Sequence, residues 1–169
     1  MNKMTFSLVS VFFLVLGVSL SVSAAQTGDA VNFEFTGSFI VSTPCTVNND
    51  DVMNIPFGNV GVKRVDGVEY MQSIPYVVDC HGAPDNSPLK LTVSGNATGF
   101  DPAAVVTSAN GLGIEIQANG QPLQLNKALQ TTLGALSTLQ LTAVPVKDPA
   151  IELTEQAFTA TATLTADYE

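Results

Sequence analysis

The chain has 169 residues, the length of one domain, and carries 15 acidic against six basic residues for a net charge of −9. That balance argues against a nucleic-acid partner, because phosphate binding needs clustered lysine and arginine, and Lys63, Arg64, Lys90, Lys127 and Lys147 are scattered. A single histidine, His81, and two cysteines leave little material for catalysis or for a metal centre.

The first elements in chain order belong to export. Met1 to Met4 gives a short positive start, Phe6 to Val22 is uncharged and rich in Phe, Leu and Val, and small residues succeed it at Ser21, Ser23, Ala24 and Ala25. This is the order of a secretory signal peptide, with cleavage after Ala24 preferred slightly over Ala25. An uncleaved membrane anchor is the alternative, but the apolar run is short for a span and ends in cleavage-type residues. Cleavage after Ala24 leaves 145 residues and removes Lys3, so the mature chain has a net charge of −10.

The mature chain is a series of short runs of strand formers separated by Gly, Pro, Asn and Asp, the pattern of an all-β sandwich. Val31, Phe33, Phe35, Gly37 and Phe39 alternate with polar residues and predict a strand with one apolar face. Strands are predicted next at Phe39 to Val47, Val52 to Phe57 and Ser73 to Cys80, with a turn at Gly58-Asn59. Leu89, Leu91 and Val93 predict a half-buried strand, and 95–111 reads as a long loop. Leu112, Ile114 and Ile116 alternate again, and Asn119-Gly120 marks a hairpin turn into Gln121 to Leu125. Leu136 to Val146 and Phe158 to Tyr168 supply the remaining strands. The one weak helix candidate is a single turn at Asp101 to Val106, with Pro102 just inside it.

Cys45 and Cys80 both lie in the exported part, and an even count in a secreted chain predicts a disulfide. Zinc would need more ligands than these two with His81 supply, so no metal is expected. No cofactor is expected either, since no phosphate-cradling glycine loop is present. The pairs Asp50-Asp51 and Glu152 with Glu155 read as solvated loop carboxylates rather than acid/base machinery. Asn48 to Asp51 lacks the spaced ligands of a calcium loop and reads as a turn, and Asn96-Ala97-Thr98 fits a glycosylation triplet of a kind that often arises by chance. The chain is not expected to be an enzyme.

The terminal strands carry more information. In the last twelve residues Phe158, Ala160, Ala162, Leu164, Ala166 and Tyr168 alternate with polar positions up to Glu169. A complete immunoglobulin-type sandwich needs about seven strands, and the count reaches that number only if the strand at 31–39 is included. An exposed strand with two phenylalanines at a flexible chain end is an aggregation hazard unless something receives it.

On these residues the chain resembles the pilin subunits of chaperone–usher fimbriae of Gram-negative bacteria. The resemblance rests on Val-x-Phe-x-Phe-x-Gly at 31–37, Pro44-Cys45-Thr-Val, and Val78-Asp-Cys80. It continues through Gly111-Leu-Gly-Ile-Glu-Ile, Pro145 to Pro149, and the Phe-Thr-Ala-Thr-Ala-Thr-Leu ending with Tyr168 next to last. One departure is Gln156, where many subunits carry Gly.

The resemblance implies an incomplete immunoglobulin-like sandwich that lacks its seventh strand. Its groove would be filled by a donor strand, first from a periplasmic pilus chaperone and then, at an outer-membrane usher, from a neighbouring subunit. It further implies that Val31, Phe33, Phe35, Gly37 and Phe39 form the donor strand. Phe158, Ala160, Ala162, Leu164, Ala166, Tyr168 and Glu169 would form the groove and chaperone-binding strand, with the carboxylate of Glu169 as a handle for basic groups in the chaperone. The organisation expected is 1–24 signal peptide, 25–40 donor-strand extension and 41–169 pilin domain. The expected partners are the chaperone, the usher and other pilin subunits, with no nucleic acid and no metal. The expected location is a cell-surface fimbria, reached through the periplasm, in which the chain is a minor, adaptor or rod subunit. The alternative function is a stand-alone secreted β-sandwich that binds a carbohydrate or host protein through its 95–111 loop.

Overall fold

The structure, a computed structural model, describes residues 33–37 and 44–169. The chain divides into two units, 1–39 and 40–169. In the first, residues 33–37 are exposed and in no ladder among the described residues. Val31 and Phe39 lie outside the described residues.

The second unit is all-β. Its strands in chain order are β1 (Thr46–Val47), β2 (Gln72–Ser73), β3 (Val78–Asp79), β4 (Pro88–Ser94), β5 (Ala104–Val106) and β6 (Leu112–Ala118), then β7 (Gln121–Pro122), β8 (Leu129–Thr132), β9 (Leu141–Lys147) and β10 (Thr163–Tyr168). One sheet runs β10-β4-β8, a second runs β2-β9-β6-β5 with β7 beside β6, and β1 pairs with β3. All pairs are antiparallel. The core lies between the sheets: Leu89, Leu91 and Val93 of β4 meet Ile114 and Ile116 of β6 and Leu141 and Ala143 of β9. These are the alternating positions of each strand, so period two sends one set of side chains inward and leaves Lys90, Thr92 and Thr142 half-buried on the outer faces.

Local sequence explains several joints. Asn119 and Gly120 both adopt positive φ (50° and 76°), which the tight hairpin between β6 and β7 requires. Asn126 clasps the end of β4, donating from Nδ2 to the Gly95 carbonyl at 2.8 Å and accepting from the Gly95 N–H at 3.1 Å. Cys45 and Cys80 are bonded and tie β1 to the end of β3. Across a sequence separation of 35 the chain-entropy model assigns such a link about 4 kcal/mol.

The structure corrects several expectations. Asp101 to Val106 is not a helical turn: Asp101 Oδ1 accepts from the Ala103 N–H at 2.8 Å, a local turn that launches β5. The segment 95–111 is therefore not a loop throughout. The α-helix found among the described residues is one turn at Leu133–Leu136, where Thr132 accepts from the Ala135 N–H, and the sequence pattern predicts neither it nor β8 before it. The strand expected at Leu136 to Val146 begins only at Leu141. Of Phe39 to Val47 only Thr46–Val47 pairs, residues 39–43 lying outside the described residues, and Ser73 to Cys80 is broken into β2 and β3. Residues 52–57 form no ladder, and the last strand pairs from Thr163 rather than Phe158.

Candidate functional site

The three-stranded sheet ends in an open edge. β10 pairs with β4 along six residues, from Thr163 opposite Ser94 to Tyr168 opposite Leu89, and has no strand on its other side among the described residues. Beyond that edge lies a cleft of about 1440 Å³. This exceeds the roughly 300–1,000 Å³ of ordinary small-molecule pockets. One wall is 153–167 and the other is 50–60. The floor is the core itself, reached through Val93, Ile114, Ile116 and Leu141.

The second wall owes its course to a turn. Asn48, Asn49 and Asp50 all have positive φ (49°, 52° and 64°), a conformation that Asn and Asp tolerate better than other non-glycine residues. Asn48 fixes the turn by donating from its N–H to the Val77 carbonyl and accepting from the Val77 N–H at 2.7 Å. The chain then leaves β1 and runs past the cleft with Met53, Ile55 and Phe57 half-buried and Asn54, Pro56 and Gly58 exposed. Residues 52–60 make no backbone hydrogen bond among the described residues, and neither do 152–158. Extended backbone with a covered apolar face and unpaired N–H and C=O groups is a template for another strand.

Each residue anticipated for the last strand has a definite place. Phe158 is half-buried, with its ring 6.0 Å from that of Phe57 in the opposite wall. Ala160 and Ala162 line the cleft and are exposed, although their neighbours in the same period, Leu164 and Ala166, are half-buried and buried. Tyr168 points inward and its hydroxyl donates to the Cys80 carbonyl at 3.3 Å. Glu169 is exposed, its N–H bonded to the Pro88 carbonyl and its carboxylate 4.0 Å from Lys90 Nζ. At 158–162 the chain leaves β4 because β4 ends at Ser94. It binds the end of β5 instead, through a bridge between Ala160 and Thr107 and the Ser108 N–H donated to the Thr159 carbonyl.

Phe33 and Phe35 are 77% and 93% exposed, and a Cβ added at Gly37 would meet nothing. Sequence reasoning missed the wall formed by Met53, Ile55 and Phe57. The signal is their alternation, which an ordinary paired strand shows equally. His81 stands 4.0 Å from Asp79 on the surface, and no group of three potential metal ligands is found among the described residues.

Residues 33–169 match the family model described as fimbrial protein. The fimbrial-like protein YfcQ of Escherichia coli (strain K12) is 30% identical over 164 residues, covering 94% of this chain and 98% of that protein. YfcR of the same strain is 30% identical over 129 residues, with 75% and 74% covered. Among solved structures, the P pilus adaptor subunit PapF has a TM-score of 0.56 at 24% identity, covering 76% of this chain and 98% of that one. The P pilus rod subunit PapA has a TM-score of 0.55 at 23% identity, with 83% and 100% covered, so both share the fold. With the family model spanning the whole sandwich and both of its open walls, the chain belongs to the fimbrial protein family and is a structural subunit of the pilin kind.

Proposed function

We propose that this pilin is exported through the periplasm and polymerised by donor-strand exchange on the chaperone–usher pathway, ending in a cell-surface fimbria. The observation that carries this reading is the cleft: apolar floor, two extended walls, and backbone groups left unpaired on both. Pilin donor-strand complementation is itself a known instance of β-augmentation, in which main-chain bonds give affinity and alternate side chains give specificity. Residues 25–40 are the donor extension, 41–169 the receiving domain and 1–24 the export signal. Val31, Phe33, Phe35 and Phe39 would enter a neighbour's cleft over Ala160 and Ala162, whose small side chains leave the space. Gly37, with no side chain, suits close approach of two backbones. Burying four large apolar side chains contributes roughly 6–12 kcal/mol before ordering costs. Glu169 would be held by basic groups of the chaperone. No catalysis is assigned.

Two alterations test the division of labour. Deleting 25–36 removes the donor and spares the cleft, so chaperone co-purification should persist while fibre assembly stops. Replacing Leu164 or Tyr168 with Asp places a charge on the inward face of β10 and should abolish chaperone co-purification and lower the yield. Loss of chaperone binding in both classes alike would rule out separate donor and receiving ends. So would a soluble, cooperatively unfolding monomer produced without any partner.

A further inference from the structure

The cleft has a charge as well as a shape. Its walls carry Asp50, Asp51, Glu155 and Asp167, and no Lys, Arg or His is among its described lining residues. Asp50 and Asp51 stand at the turn that opens one wall, and Asp167 lies near the end of the other, so three of the carboxylates gather towards the β1 end. Glu155 lies at the opposite end, beside Leu153. Of the nearby cations, Lys90 stands opposite Asp167 on β4 and approaches Glu169, so it offsets part of that charge, Arg64 is paired with Glu69 at 2.8 Å, and Lys63 lies between the lining residues Val62 and Val65 without lining the cleft itself.

The chain's own donor sequence has the same sign. With Val31, Phe33, Phe35 and Phe39 facing inward, the outward positions are Asn32, Glu34, Thr36 and Ser38, and Glu34 is the one charge among them. One period further back, Asp29 falls in phase with the inward set. Either direction of insertion brings Asp29, just before the strand, towards an acidic end of the cleft, and Glu34 adds a charge of the same sign midway along it. Like charges on neighbouring strands oppose pairing and slow encounter.

We propose that the cleft is built for the amino-terminal strand of a different subunit, one with apolar inward residues and neutral or basic outward residues, and that it discriminates against a second copy of this chain. This rests on the donor-strand reading and deepens it: the subunit would stand between unlike neighbours instead of forming a homopolymeric rod. Shape alone does not exclude self-assembly, since the phenylalanines suit the cleft; charge sets the preference.

The test is refolding of the urea-denatured mature chain by dilution into excess synthetic peptide 25–39, reading the fraction recovered as soluble peptide complex and its rate of formation. Three peptides are compared: the native sequence, E34K and F33S/F35S. At about 50 mM NaCl the E34K peptide should form complex at least about threefold faster than the native one, and raising salt to about 500 mM should close the gap by speeding the native peptide. The D50N/D51N chain should accept the native peptide faster than the unaltered chain does. Equal rates for native and E34K peptides at both salts, or a faster native peptide, would overturn the charge discrimination while leaving donor-strand insertion intact. If F33S/F35S rescues as well as the others, or no peptide rescues, the donor-strand reading fails and takes this inference with it.

Discussion

The β6–β9 pair and the two walls of the cleft are written in nearly the same sequence code, yet only the first is closed. In β6, Leu112, Ile114 and Ile116 point inward and seven residues pair with β9, from Leu112 opposite Lys147 to Ala118 opposite Leu141. In the wall at 53–57, Met53, Ile55 and Phe57 also point inward at period two, but the backbone pairs with nothing among the described residues. Period two therefore reports that a backbone is extended with one face covered. It does not report whether its edge is satisfied. That depends on which neighbour the chain can supply, and here no strand stands between 52–60 and 153–162 among the described residues. An edge left open in a free protein is usually blunted with charge, proline or a bulge, and the proposed donor strand would cover this one instead.

Placing an aspartate in each region breaks the comparison open, and this is the largest effect expected. Val144 of β9 is fully buried and stands opposite Glu115, so Val144→Asp desolvates a charge beside a like charge. The domain should lose about 4 kcal/mol or more and fail to accumulate. Ala162→Asp is exposed and should change domain stability by no more than about 0.5 kcal/mol, yet it should block strand insertion. Circular dichroism of each chain refolded from urea, beside its capture of donor peptide, separates the two: Val144→Asp should lose the sheet signal, and Ala162→Asp should keep it without capturing peptide. Similar losses of stability from both would mean that the cleft walls are core.

Much of this was legible in the sequence, for physical reasons. β4, β6 and the hairpin at Asn119-Gly120 were readable because burial on one face and positive φ each leave a compositional mark. The segment at β5 was not: Ala104, Val105 and Val106 are three residues among Gly, Pro and Asn, too few to show a period. β8 and the helical turn after it share Leu129 to Leu136, where a capping threonine decides the outcome without an apolar stripe. In the cleft, the wall at 158–168 was legible from its alternation. The opposite wall was not recognised as one, because an unpaired strand and a paired one look alike until the partner's absence is seen.

A smaller effect sharpens the picture at the closed end. Gly111, just before β6, has φ of +79°, and a Cβ there would lie 2.6 Å from Cγ2 of Ile151. Gly111→Ala should cost about 2–3 kcal/mol, part backbone strain and part overlap. Adding Ile151→Ala removes the overlap with Cγ2 but leaves the Cβ of residue 151 at 2.8 Å and the φ penalty unchanged, so the double variant should recover only part of the loss relative to Ile151→Ala alone. Full additivity of the two single changes in the urea midpoint would show that the contact is not felt. Cleft function should survive in each, since neither residue lines it.

The smallest effect is a pH slope from the outer face of the closed sheet. Burial holds Glu115 above its ordinary value of 4.5, and the nearby Asp101 carboxylate adds to this, while the bond from Gln117 Nε2 at 2.6 Å opposes it. Because the folded state then binds the proton more tightly than the unfolded state, Glu115 makes stability fall as pH rises from 4.5 through its raised folded value. Glu115→Gln keeps an acceptor for Gln117 and cannot ionise. It should flatten that part of the pH profile and raise the urea midpoint at neutral pH, with little change near pH 4.5. An unchanged slope would assign the pH dependence to other carboxylates.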